Sequence, residues 1–198
     1  MDPMRCRIPL LAAVVMLGSS CGPRTPEVDY STLIKKLSSN DELVRGKATT
    51  DLITIGEPAV PAIVPLLSDP EARIRRTAAT TLWGMGVKAR QAVPQLAAAL
   101  SDSDASVRAS AAMALGSIGP EARNAVPALI GALRDRDGNV RLWAVKALGE
   151  IGPAAEGAVP ALKRMAKDEF LGPAIEETIR KLNADAATRA SSPPKRRR

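Results

Sequence analysis

An all-α superhelix of about five stacked helix pairs is what this 198-residue chain predicts, on three observations. The pair Val-Pro recurs at Val60-Pro61, Val93-Pro94, Val126-Pro127 and Val159-Pro160, each 33 residues after the last. A second phrase, an aliphatic residue followed by Arg, recurs at Val44-Arg45, Ile74-Arg75, Val107-Arg108 and Val140-Arg141 and is closed by Gly56, Gly86, Gly119 and Gly152. A fixed period of this size marks a solenoid, in which each helical unit buries its apolar face only against its neighbours. Composition agrees, because 45% of the residues are hydrophobic while only two Trp, one Tyr and one Phe are present, so Leu, Ile, Val and Ala must fill the core.

Taken in order, Tyr30 to Leu37 opens the array as a helix without Val-Pro. Each later unit begins helix A at Val-Pro, where the missing Pro N–H has no intrahelical partner to lose. Ile63 and Leu67, Leu96 and Leu100, and Leu129 and Leu133 follow at helical spacing and form one stripe. Helix B begins at the aliphatic-Arg phrase, and in the later three units Asp-containing loops stand ready to cap it. Ala48, Leu52 and Ile55, then Ala78, Leu82 and Met85, Ala111, Leu115 and Ile118, and Ala144, Leu148 and Ile151 share a sector of about 80° at roughly 100° per residue. The closing Gly supplies a left-handed residue just past the helix. In the last unit, Val159 to Leu182, the second helix fits best with Leu171, Ile175, Ile179 and Leu182 inward and Glu176, Glu177, Arg180 and Lys181 outward. The repeat body therefore spans residues 29–184, with residues 185–198 as a disordered basic tail.

Spacing, Pro, Val-Arg, an Ala-rich helix B and Gly together resemble the HEAT-like repeats first named from phycobilisome lyase subunits, over residues 30–182. The resemblance implies that Asp69 and Arg75, Asp102 and Arg108, and Asp135 and Arg141 form an internal ladder. Each Arg would span two adjacent loop carboxylates, and the ladder would fade at Ser39 and at Asp168. The alternative for these residues is a polar ribbon that binds a ligand. Function is not implied, since such folds carry many unrelated activities.

The chain has no His, and its cysteines are Cys6 and Cys21 alone, which excludes imidazole catalysis, thiol triads and the usual zinc sites. It also excludes the iron site of the HEAT-repeat hydroxylases, which resemblance ties to His-Glu pairs. The glycines follow helices, not strands, and build no phosphate loop. The reading is a non-enzymatic protein without cofactor or metal. Net charge is +7, but Arg189, Lys195, Arg196, Arg197 and Arg198 account for five of it, leaving a body close to neutral with no basic groove for nucleic acid.

Ile8 to Gly18 is an apolar run about 16 Å long as a helix, too short for a bilayer core of about 30 Å, and reads as an export signal covering residues 1–20. Gly18-Ser19-Ser20 before Cys21 resembles the lipobox of bacterial lipoproteins, with Gly18 where Leu is usual; the resemblance implies lipid on Cys21 and a tether over residues 21–28. Ordinary signal cleavage also suits Gly18 and Ser20. Export places the chain in a bacterial cell envelope, on the periplasmic side of a membrane or at the cell surface. There the tail residues Lys195, Arg196, Arg197 and Arg198 would meet an anionic surface.

Breaks in the repeat nominate a partner surface. Trp83, Met113 and Leu142 fall opposite the buried sector of helix B, with Trp143 at its margin. They bind a partner protein or else fill gaps where neighbouring units carry Gly. On the first reading Trp143→Ala spares folding and Trp83→Ala does so less cleanly. The function read from all this is a protein-protein interaction scaffold anchored to the lipid bilayer. Alternatives are an accessory lyase-like or chaperone subunit, and a binder of anionic surfaces through the tail.

Overall fold

The computed structural model describes residues 29–167 and 170–190, with side chains as far as residue 184. The export segment, Cys21 and its tether, Asp168, and the tail residues Lys195, Arg196, Arg197 and Arg198 lie outside the described residues. Within them the chain is helical, with no strand, and forms five pairs. These are α1 (Tyr30–Leu37) with α2 (Glu42–Ile55), α3 (Val60–Ile63, prolonged by a 3-10 turn over Val64–Ser68) with α4 (Ala72–Met85), α5 (Val93–Ala99) with α6 (Ala105–Ile118), α7 (Val126–Ala132) with α8 (Gly138–Ile151), and α9 (Val159–Met165) with α10 (Gly172–Ala190). Each even-numbered helix packs on the next, which makes the array an all-α superhelix as the period predicts. Helix α10 runs on past residue 184, where the sequence reading ended the repeat body.

Local chemistry sets the boundaries. Val and Pro occupy the opening positions of α3, α5, α7 and α9. Carboxylates of Asp41, Asp104 and Asp137 accept the free N–H groups that open α2, α6 and α8. Helix α4 departs from the expected pattern: Glu71 stands at its start without a side-chain cap, and Asp69 accepts from the Glu71 N–H instead. All four closing glycines have positive φ, from +55° to +76°, but ψ lies near −138° where a left-handed helical residue has about +47°. This mirror-image extended region is open to Gly almost alone, so the constraint is tighter than the one anticipated. It sends the chain into 3-10 turns over Glu57–Ala59, Gly86–Ala92, Gly119–Ala125 and Gly152–Ala158, which lead to the next Val-Pro pair. With about three residues per turn, Ala89 and Ala92, Ala122 and Ala125, and Ala155 and Ala158 stack on one side, and all six are fully buried.

The core follows the predicted stripes through the middle units and shifts at the ends. Ile55 is only half-buried, and Val44, in the first described unit, is 37% exposed. Where Thr81, Ala114 and Ala147 bury themselves against the preceding unit, α2 presents exposed Asp51, a polar cap on the array. In α10 the inward set is Leu171, Ile175, Thr178 and Leu182, with Ile179 half-buried: the Thr178 hydroxyl donates to the Val145 carbonyl at 3.3 Å and draws that position inward.

The Asp and Arg repeats form contacts between units, with a geometry unlike the expected one. Arg75 grips the Asp102 carboxylate at two points, 2.7 and 2.8 Å, and Arg108 grips Asp135 in the same way. In its own loop each Arg donates to backbone carbonyls and not to the carboxylate: Arg75 to Asp69 and Pro70, Arg108 to Asp102 and Ser103, Arg141 to Asp135 and Arg136. The carboxylates of Asp69, Asp102 and Asp135 also accept the N–H two residues on and so shape the loop. At the first unit, where Ser39 replaces Asp, Arg73 reaches back to the carbonyls of Ser39 and Ser38 at 2.9 and 3.2 Å.

Leu115→Ala is expected to lower stability by about 2–5 kcal/mol through a core cavity. Gly119→Val is expected to cost about 1–3 kcal/mol from backbone strain, since a Cβ there would approach only the Glu150 carbonyl at an unstrained 3.8 Å. Urea unfolding measures both. The Arg guanidinium opposite each holds Asp102 and Asp135 below the usual carboxylate range. Their contribution is therefore complete above about pH 4 and is lost as pH falls through the depressed values. Asp135→Asn is expected to cost about 1–3 kcal/mol at neutral pH, and urea melts at stepped pH should show that gap closing below pH of about 4.

Candidate protein-binding surface

The even-numbered helices approach one another closely because small residues meet between them. A Cβ on Gly116 of α6 would lie 3.1 Å from the Ala147 Cα of α8, and one on Gly149 would lie 3.2 Å from the Thr178 hydroxyl. These glycines therefore leave no gap for an aromatic ring to fill, since neighbouring backbone or side-chain atoms already occupy the space. Larger side chains flanking this narrow floor stand up as walls.

The result is a groove of about 500 Å³ across three units, walled by Trp83, Val87, Met113 and Trp143 over a floor of Ala112, Gly116 and Ala147. A second groove of about 550 Å³ continues beyond Trp143 to Ala174 and Thr178. Trp83, Met113 and Trp143 thus come together, and Trp143 sits between the two grooves, not at the margin. Leu142 does not join them: it is half-buried against the core. The exposures of the two tryptophans run opposite to the sequence expectation, for Trp83 is 46% exposed while Trp143 packs half-buried on the core. The sequence reading missed Val87, 52% exposed on the groove wall, although its place one residue past the closing Gly is Pro in the next two units, at Pro120 and Pro153.

Polar groups around the groove are satisfied within the protein. The Ser117 hydroxyl donates to the Trp83 carbonyl at 3.0 Å, tying α6 to the end of α4. Lys146 Nζ stands 4.7 Å from the centre of the Trp143 ring, a cation–π distance. Lys181 donates to Glu150 at 2.9 Å, and this carboxylate holds the Lys181 ammonium above its ordinary range. An apolar trough with an internally paired rim suits the apolar and aromatic side chains of another protein better than a charged polymer. Among the described residues no cluster of acidic or cysteine side chains could hold a metal ion.

A family model described as HEAT repeats matches residues 30–116 and 93–182. The chain belongs to the HEAT-repeat family. No curated protein matches it in sequence. Among solved structures, the HEAT-repeat body is similar to the complex of CpcE and CpcF of phycocyanin lyase from Nostoc sp. PCC7120, with 22% identity and a TM-score of 0.65 over 75% of this chain and 96% of that one. It is similar to a designed armadillo repeat protein in complex with the peptide (KR)4, at 20% identity and a TM-score of 0.61 over 78% and 82% of the two chains. An engineered protein matches at 23% identity with a TM-score of 0.59 over 79% and 80%. These likenesses show the fold alone and agree with the match to HEAT repeats.

Because Trp143 packs on the core, Trp143→Ala is expected to destabilise the HEAT-repeat array by about 1–2 kcal/mol, whereas Trp83→Ala should leave the urea midpoint within error. Acrylamide quenching of the two single-Trp variants should find Trp83 the more accessible.

Proposed function

We propose that this HEAT-repeat chain is a non-enzymatic protein-binding scaffold, exported to a bacterial cell envelope and held at the membrane by lipid on Cys21. The observation that carries the binding role is the convergence of Trp83, Met113 and Trp143 from three successive units on one apolar groove with a paired rim. Buried aromatic anchors supply most of the affinity in protein interfaces, and both tryptophans of the chain stand here. Support for export and anchoring comes from the short apolar run before Cys21 and the small residues that precede that cysteine. A role as an accessory subunit has the fold likeness to the phycocyanin lyase complex behind it and uses the same groove.

The test is affinity capture by full-length protein extracted from membranes, scored for partners that Trp83→Ala releases. A loss of about 30-fold in affinity, with the urea midpoint unchanged, is the expected result. Identical capture by wild type and Trp83→Ala, Met113→Asp would move the binding surface elsewhere. Capture that survives these changes but fails without residues 189–198 would favour the anionic-surface reading. Intact mass of the same material should show loss of residues 1–20 and added acyl mass; an unmodified amino terminus would remove the anchor from the proposal.

A further inference from the structure

Two cavities open among the loops that join helix A to helix B, one unit apart and built to the same plan. The earlier, of about 450 Å³, is lined by Ser68, Asp69, Arg75, Ser101, Asp102 and Ser103 among others. The later, of about 630 Å³, has Ser101 and Ser103 on one side and Arg134 and Arg136 on the other, with Asp102, Arg108 and Asp135 of the ladder between. The two differ chiefly in one loop, where Ser101-Asp102-Ser103 gives way to Arg134-Asp135-Arg136.

That exchange changes the charge of the cavity. In the earlier one, Arg75 faces Asp69 and Asp102, and the residues of the ladder account for every charge. In the later one both carboxylates are already neutralised, Asp102 by the two-point grip of Arg75 and Asp135 by that of Arg108. Arg134 and Arg136 are exposed, and their guanidinium groups make no hydrogen bond or ion pair among the described residues, although the charge of Arg136 helps to hold down the Asp135 carboxyl. Like charges two residues apart on one loop repel, so an arrangement that turns both into one cavity favours an anion between them. The approach past Gly131 is open, since a Cβ built there would meet nothing within 4 Å.

We propose that this cavity binds a phosphate-type oxyanion, held by Arg134 and Arg136 from one loop and by the hydroxyls of Ser101 and Ser103 from the loop before. Guanidinium groups donate in a planar fork that matches phosphate oxygens, and serine hydroxyls donate to the oxygens that remain. A phosphate monoester near neutral pH carries about −1.5 to −2 and the diester of a lipid headgroup a single negative charge, both within what two guanidinium groups can balance. The volume exceeds that of the anion alone and accommodates whatever bears it, a lipid headgroup or a soluble phosphorylated compound. The site lies apart from the tryptophan groove and does not depend on the scaffold reading.

The experiment uses the chain from residue 22 onward, so that neither the export segment nor lipid on Cys21 draws it to vesicles, with Lys195, Arg196, Arg197 and Arg198 replaced by Ser so that they bind no anion. Inorganic phosphate is titrated by calorimetry, and sedimentation is measured with phosphatidylcholine vesicles containing or lacking phosphatidylglycerol. Saturable binding is expected to weaken about tenfold or more in Arg134→Ser, Arg136→Ser, which copies the loop of the preceding unit, while the urea midpoint holds; Ser101→Ala, Ser103→Ala should weaken it a few-fold. Should the double serine variant unfold early, Arg134→Gln, Arg136→Gln gives the same comparison. Arginine-dependent binding of free phosphate alone assigns the site to a soluble compound, and arginine-dependent binding of phosphatidylglycerol vesicles assigns it to a headgroup. Absence of saturable binding to either probe, or binding unchanged in both double variants, overturns the proposal.

Discussion

Everything in this protein depends on how closely successive helix B segments can approach. A helix pair this small buries too little apolar surface by itself and must share a core with the pair on either side. The contact of Gly116 with Ala147 sets that sharing at nearly backbone-to-backbone range. At such a distance Leu, Ile and Ala suffice to fill the interior, which is why a chain with four aromatic residues can be stable and why its two tryptophans are left for the surface. Gly84 shows the same constraint with a different solution, since its missing Cβ makes room for the end of the Ile53 side chain.

The arginine ladder fixes the second dimension of the stack. The guanidinium groups of Arg75 and Arg108 are each stitched to their own loop through carbonyl oxygens and to the next loop through a carboxylate, so one side chain orders two turns of chain at once. Arg108 is only 5% exposed and would be a costly buried charge without that full set of acceptors. The ladder also explains a quiet feature of the loops: Asp102 and Asp135 are each gripped by the arginine of the preceding unit, so further cations on those loops have no ion pair of their own. Arg134 and Arg136 are such an addition.

Much of the fold was legible because repetition multiplies weak signals. One Val-Pro pair says little, but four at a constant interval, three of them followed by the same apolar offsets and a glycine, specify the helices and their buried faces. The 3-10 turns were less visible: the alanine spacing of Ala89 and Ala92 or Ala122 and Ala125 was present, but a three-residue period over seven residues is easily read as a connection. The groove was legible in part. Departures from the repeat pointed to Trp83, Met113 and Trp143, whereas helical angle alone could not tell that Leu142 would be claimed by the core or that Trp143 would rest on it. Those outcomes depend on the side chains of the adjoining unit, which a single-helix projection does not contain. The same repeat comparison, applied to loops, would have singled out Arg134 and Arg136 against Ser101 and Ser103.

The ladder runs one way, Arg75 and Arg108 each reaching forward to the loop of the following unit, and this gives the array a grammar. An internal unit could be duplicated or excised in whole periods and every arginine would still find a carboxylate ahead of it, so length is a freely editable property of the scaffold. The tryptophan groove is not editable in that way. It needs the units that carry Trp83, Met113 and Trp143 to stand in immediate succession, and an insertion between any two of them would leave a sound superhelix with its binding face split apart. Structure here tolerates changes in copy number; recognition depends on word order.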